Sequence, residues 1–127
     1  MDDAERLIVI DAANVVGSRP DGWWRDRAGA ARRLLAQLDV LRDRLPATTS
    51  VTVVLEGAAK AAADGDYERL RLVLADGSGD DAIVDVVAEA IANRPVTVVT
   101  ADRGLRSRVE SLGATTVGPT WLLESLA

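Results

Sequence analysis

Short apolar runs and longer apolar stripes alternate along this chain, and their spacing separates strands from helices. Leu7-Ile-Val-Ile10 is a continuous run rich in β-branched residues. It predicts a strand buried on both faces, and such strands occur mainly in parallel sheets with helices on either side. Asp11 ends the run, and Gly17 to Arg27 is rich in turn formers and reads as a loop. From Arg27 to about Leu45 the residues Leu34, Leu35, Leu38, Leu41 and Leu45 form one stripe at helical spacing, with Arg32, Arg33, Asp39, Arg42 and Asp43 mostly off it. This predicts a long amphipathic helix that Pro46 ends. Val51 to Leu55 reads as a second strand terminating at Glu56-Gly57, Ala58 to Asp66 as an irregular or partly helical connection, and Leu70 to Leu74 as a third, edge-like strand.

In the second half, a glycine-rich approach, Asp76-Gly-Ser-Gly79, leads into a helix that opens with Asp80 and Asp81. Asp80 shares a helical stripe with Ile83 and Val87, and Asp81 shares one with Val84 and Ala88, so both acids are expected along the sheet-facing side, with Asp85 nearer solvent. Val96 to Thr100 is another buried strand, ending in Ala101-Asp102-Arg103-Gly104. Leu105 to Leu112 predicts a short helix, Ala114 to Val117 a final strand, and Thr120 to Leu126 a closing helix started by Pro119. Strands alternating with helices through connections this short predict an α/β fold, an open parallel sheet in three layers with helices on both faces.

Composition narrows what this pattern can do. A chain of 127 residues with 48% hydrophobic content amounts to one domain with a sizeable core. Cysteine and histidine are both absent, which removes disulfides, thiol catalysis, the common zinc sites and imidazole acid-base chemistry. Whatever chemistry the chain performs falls to carboxylates. With 15 basic against 20 acidic residues the net charge is -5, so any grip on nucleic acid must come from local basic surface. The start, Met-Asp-Asp, leads into no apolar core of signal-peptide length, and no apolar run approaches the ~20 residues of a membrane span. The expected location is cytoplasmic, with no membrane partner.

Asp11, Asp80, Asp81 and Asp102 all fall at the carboxyl ends of strands or at the amino end of the helix that follows one. In a parallel sheet those positions share one edge, where open α/β folds bind their ligands. Asn14, three residues past Asp11, can turn its amide toward the same place. Carboxylates gathered without histidine or facing lysines repel one another, and hard divalent cations select an oxygen-only donor set, so the acids predict a Mg2+ or Mn2+ site. Taken singly, each acid also has the ordinary reading of a helix cap worth roughly 0.5 to 2 kcal/mol. One cap needs one aspartate, and Asp80 and Asp81 are two. Arg19, Trp23, Trp24, Arg25 and Arg27 lie in or next to the loop after Asp11. They are expected to overhang the site, guanidinium groups toward phosphates and an indole face toward an unpaired base, with one tryptophan filling core at the mouth of the long helix. Arg103, Arg106 and Arg108 follow the last acid and are candidates for the local basic surface.

The set Asp11-Ala-Ala-Asn14, Gly79-Asp-Asp-Ala-Ile83 and Thr100-Ala-Asp-Arg103 resembles the NYN branch of the PIN-like nuclease superfamily, to which the 5′ nuclease domains of polymerases and flap endonucleases are also related. The resemblance spans most of the chain, in order and with compatible spacing. It implies a PIN-like sheet of strand order 3-2-1-4-5, with Asp11 and Asp102 flanking the topological switch point. It implies metal-dependent phosphodiester hydrolysis, usually of RNA, with Asp11, Asp80, Asp81 and Asp102 holding Mg2+ or Mn2+ and Asn14 as an auxiliary. Substrate contacts are then expected from Arg19, Trp23, Trp24, Arg25 and Arg103, and the expected partners are RNA, single-stranded or structured, and a second copy in a homodimer. Two departures stand out: the related 5′ nucleases carry a further acid two residues past the one matching Asp102, where this chain has Gly104, and the acid after the second strand is Glu56, expected to support the ligands from behind.

Three other readings are open. A scaffold that keeps the fold only to bind RNA or a protein leaves the repelling charges without a purpose. Gly113 to Ser125 resembles the closing segment of a BRCT domain, a phosphopeptide-binding module, but covers none of the acids, and phosphate asks for a basic pocket. Phosphatases with a strand-terminal aspartate nucleophile usually place a second one two residues on, where this chain has Ala13.

Overall fold

The strand at the chain's beginning, β1 (Arg6–Asp11), is the centre of the sheet in the computed structural model, which describes residues 5–126. The Met-Asp-Asp start lies outside the described residues. β1 pairs in parallel with β2 (Thr49–Leu55), from Arg6 opposite Thr49 to Asp11 opposite Val54, and with β4 (Val96–Val99), from Leu7 opposite Val96 to Ile10 opposite Val99. β3 (Arg71–Leu74) and β5 (Thr115–Val117) add in parallel at the two edges, and the order is β3-β2-β1-β4-β5. This is the order the family resemblance implies.

Alternate residues of the strands feed two cores, which is why β1 is apolar at four successive positions, Leu7 to Ile10. Leu7, Val9, Val54, Val96 and Val98 pack against Ile83 and Val87 of α3 (Gly79–Ala90) and Leu105 and Val109 of α4 (Arg103–Ser111). On the other face, Ile10, Val51, Val53, Leu55 and Val99 meet Leu34, Leu35 and Leu38 of α2 (Arg27–Arg44) and Leu122 of α5 (Pro119–Leu126). Gly113 to Ser125 supplies β5 and most of α5, so it closes the same sheet that carries the acids.

The structure departs from expectation mainly between β1 and α2. The chain enters a helix directly after Asp11, α1 (Ala12–Gly17), which buries Ala12, Val15 and Val16. Six residues are too few for periodicity to announce, and a helix this short depends on packing rather than propensity. The loop that follows holds a 3-10 turn, Trp23–Arg25, entered through Gly22 at φ 76°, a left-handed conformation natural to glycine. The connection after β2 is a 3-10 helix, Gly57–Asp64, entered through Gly57 at φ 58°. No helix among the described residues is long and apolar enough to cross a membrane.

Candidate active site

Because all five strands run the same way, whatever follows each strand gathers along one edge. Asp11 closes β1 and is buried at 5% exposure. The pairing of Ile10 with Val99 brings Thr100 level with it, and the fully buried Thr100 hydroxyl donates to Asp11 Oδ2 at 2.9 Å. Thr100 Oγ1 also accepts from the Asp102 backbone N–H at 3.2 Å, so one hydroxyl ties together the ends of the two central strands. Asp11 Oδ1 accepts from the Asn14 N–H at 3.3 Å as the cap of α1. The Asn14 side chain reaches across instead, its Oδ1 accepting from the Ala101 N–H at 2.8 Å. Asn14 thus clamps the turn that presents Asp102.

The two adjacent aspartates of α3 separate. Neither caps the helix: Ser78 does, its hydroxyl accepting from the N–H groups of Asp80 and Asp81 at 3.1 and 3.4 Å. Asp80 lies at the half-buried edge facing the strand ends. Asp81, expected on the sheet-facing side, is instead exposed, with 69% of its side chain accessible, and pairs with Arg108 of α4 at 3.0 Å. A step of about 100° around a helix is enough to send neighbouring side chains to different places. Asp102 does cap α4, its Oδ1 accepting from the Leu105 N–H at 2.9 Å, and leaves Oδ2 outside that bond.

Glu56 joins this group more closely than its place after β2 suggested. Its carboxylate lies directly over Gly79, where a Cβ would collide with Oε1. A residue without a side chain just before Asp80 is what lets the β2 acid come over the amino end of α3, where the helix dipole favours an anion.

The electrostatic consequence falls on two groups. Burial raises the Asp11 carboxyl above its ordinary value of 3.8; the Thr100 and Asn14 hydrogen bonds oppose the rise, and the charges of Asp80 and Glu56 add to it. Asp80 is raised as well, by burial first and then by Asp102 and Glu56, with Arg108 opposing and Asp81 adding a smaller push. Asp11, Glu56, Asp80 and Asp102 therefore share one field, and Asp80 stands at its middle. Among the described residues no three carboxylates are close enough to clasp one ion directly. The donor chemistry nonetheless fits Mg2+ or Mn2+: all the donors are hard oxygens, their mutual repulsion is what a cation relieves, and Mg2+ usually keeps several waters, taking only one or two carboxylates together with substrate phosphates.

The expected substrate contacts distribute unevenly. Trp23 packs its ring against the α2 core, edge-to-face with Trp24 at 5.9 Å, with the Arg27 guanidinium over it at 5.3 Å. Trp24 is 55% exposed and carries Arg25 beside its ring at 5.9 Å. Arg19 turns away to donate to Gln37 Oε1 at 2.8 Å. Arg103 is exposed beside Asp102, whereas Arg106 donates to the Thr100 carbonyl at 2.8 Å. Thr100 has no role assigned from the sequence; its signal was a hydroxyl directly after the buried strand Val96–Val99 and two residues before Asp102.

The fold and this edge define an α/β protein with an acidic site at the topological switch point between β1 and β4. Its architecture is that of the crystal structure of Rae1 (YacP) from Bacillus subtilis, at a TM-score of 0.75 and 18% identity over 99% of this chain and 74% of that one. The W164L mutant of Rae1 superposes with a TM-score of 0.73 and 16% identity, over 95% of this chain and 74% of that one. At these identities the likeness is one of fold. No protein-family profile matches the chain, and no curated protein matches it by sequence.

Proposed function

We propose that this chain is a Mg2+- or Mn2+-dependent nuclease that hydrolyses phosphodiester bonds, with RNA as its substrate. The observation that carries the reading is the convergence of Asp11, Glu56, Asp80 and Asp102 on one sheet edge, where Asp11 and Asp80 are both pushed toward the protonated form. The three motifs that resemble those of NYN and PIN-like nucleases support the reaction class and the choice of RNA. One or two of Asp11, Glu56, Asp80 and Asp102 would hold the ion directly and the others through its waters; when bound it polarises a phosphate oxygen and lowers the pKa of bound water. Thr100 keeps the Asp11 carboxylate turned to the edge, and Asn14 keeps the turn before Asp102 in place. Arg108, held by Asp81 and close enough to oppose the rise at Asp80, offers a guanidinium to a phosphate oxygen, as does exposed Arg103. Asp81 acts here by positioning Arg108.

A catalytically silent RNA-binding scaffold is the second reading, favoured by the looseness of the carboxylates and by Gly104 where related 5′ nucleases carry an acid. One assay separates them. The purified protein is expected to cleave single-stranded or loop RNA with Mg2+ or Mn2+, to stop in EDTA, and to lose activity in Asp11→Asn. Cleavage that survives EDTA, or a folded Asp11→Asn protein of undiminished activity, rejects the metal-dependent reading; binding without cleavage under every metal condition favours the scaffold.

A further inference from the structure

A cleft of about 250 Å³ opens beside the acidic edge rather than within it. Glu56 stands on its wall, so the cleft and the acid group share one side chain. The rest of the lining is small and apolar, Ala12, Ala13 and Val16 of α1 facing Ala58 and Ala59 of the 3-10 helix, closed by the Trp23 ring with Arg27 against it. Pockets for drug-sized ligands span roughly 300 to 1,000 Å³, so this smaller cleft suits one flat heterocycle. Its walls are small because four of these positions are alanine, and its aromatic end is fixed because Trp23 is braced by the α2 core and by Trp24.

We infer that this cleft receives a single unpaired base of the RNA strand, stacked on Trp23, with the neighbouring phosphate delivered to the acidic edge past Glu56 and the Arg27 guanidinium. The inference rests on the nuclease reading and deepens it: the base seat is the half-buried Trp23, and the exposed Trp24 is its support. An apolar seat continuous with a phosphate-handling edge suits a strand, whose bases are apolar-faced and whose backbone is anionic. An unpaired base is required because a base inside a duplex presents only its edges.

The test uses the three tryptophans of the chain. Trp24→Phe with Trp121→Phe leaves Trp23 as the sole indole, and Asp11→Asn added to that background keeps RNA intact in Mg2+. A single-stranded hexanucleotide and the same ribose-phosphate strand without bases are titrated against it, with Trp23 fluorescence as readout. The expected result is quenching by the natural strand and about tenfold or more weaker binding of the baseless one, since stacking on an aromatic side chain is worth that much. Ala58→Leu and, independently, Ala13→Leu fill the cleft and are expected to erase the difference between the strands. Equal binding of the two strands, or a base-dependence that both filling variants retain, overturns the inference. Wild-type cleavage is scored separately: cleavage of RNA with no base-dependent quenching leaves the nuclease standing and removes the base seat, whereas base-dependent quenching in a protein that never cleaves does the reverse.

Discussion

On the outer surface, aspartates meet arginines: Asp64 lies 3.2 Å from Arg32, Asp43 lies 3.1 Å from Arg69, and Asp81 lies 3.0 Å from Arg108, with exposed side chains on both partners. At the carboxyl edge of β1 and β4, Asp11 and Asp80 face Glu56 and Asp102 instead, and both are driven toward protonation. Exposed pairs of the first kind contribute about 0 to 1 kcal/mol each and exist wherever a charged surface is folded. Partly buried acids of the second kind cost stability, and perturbed carboxylates gathered in such a setting are candidates for a functional site. Asp80 and Asp81 are the sharpest instance, because consecutive residues of one helix fall on opposite sides of this division.

Mutation of that pair has the largest expected effect. Asp80→Asn should lower metal-dependent RNA cleavage by roughly a hundredfold or more, because losing even an outer partner of a metal site typically costs 10- to 100-fold. Asp81→Asn should fall only as far as a loosened Arg108 requires, within about tenfold. Equal losses, measured as kcat/KM on one RNA, would mean that Asp81 belongs with the acids and that the two regions are not distinct.

Metal should distinguish the same two residues in a melt. Mn2+ at about a hundredfold excess over its Kd should stabilise the wild-type protein by about 2.7 kcal/mol. Asp81→Asn should gain nearly the same and Asp80→Asn much less. A wild-type melting temperature indifferent to Mn2+ and Mg2+ would remove the metal from the acidic edge.

Thr100 tests whether the edge is built or incidental. Thr100→Val keeps the shape but leaves Asp11 Oδ2 without its donor and the Asp102 N–H without its acceptor, so unfolding free energy should drop by about 1.5 to 3 kcal/mol, the range for hydrogen bonds to charged groups. Thr100→Ser, which keeps the hydroxyl, should recover most of that in urea denaturation. If valine and serine melt alike, the Thr100 contacts do not hold the site.

The smallest effect is the pH dependence of the metal-free fold. A carboxyl whose folded pKa lies above its unfolded one binds its proton more tightly when folded, so its stabilising contribution is complete below the unfolded pKa and is lost as pH rises through the folded one. Asp11 and Asp80 are both of this kind, starting from an ordinary value of 3.8. In EDTA, Asp80→Asn should therefore melt close to wild type at about pH 4 and above it at about pH 7. A gain that does not grow with pH would show that Asp80 is not under strain from its neighbours.

Much of this arrangement is legible in the chain alone. β-branched runs of strand length at Leu7 and Val96, followed by Asp11 and Asp102, and a leucine stripe of helical period from Leu34 are local patterns, and local patterns determine strands, helices and the layering that parallel strands require. That strand-terminal acids share an edge follows from the strands being parallel, so Asp11, Asp80 and Asp102 could be grouped before any coordinates. What tertiary structure alone decided is which way each side chain points and what stands opposite. α1 is too short to announce itself and exists because Val15 and Val16 are buried by the packing of α2 and the sheet. Asp81 is paired with Arg108, 27 residues away, once α3 and α4 share one face of the sheet. Glu56 enters because Gly79 makes room for its carboxylate, and Thr100 meets Asp11 across 89 residues because the β1 and β4 register sets them level. Each is a contact between residues distant in sequence, where no local periodicity carries the information and only the packed sheet brings the partners together.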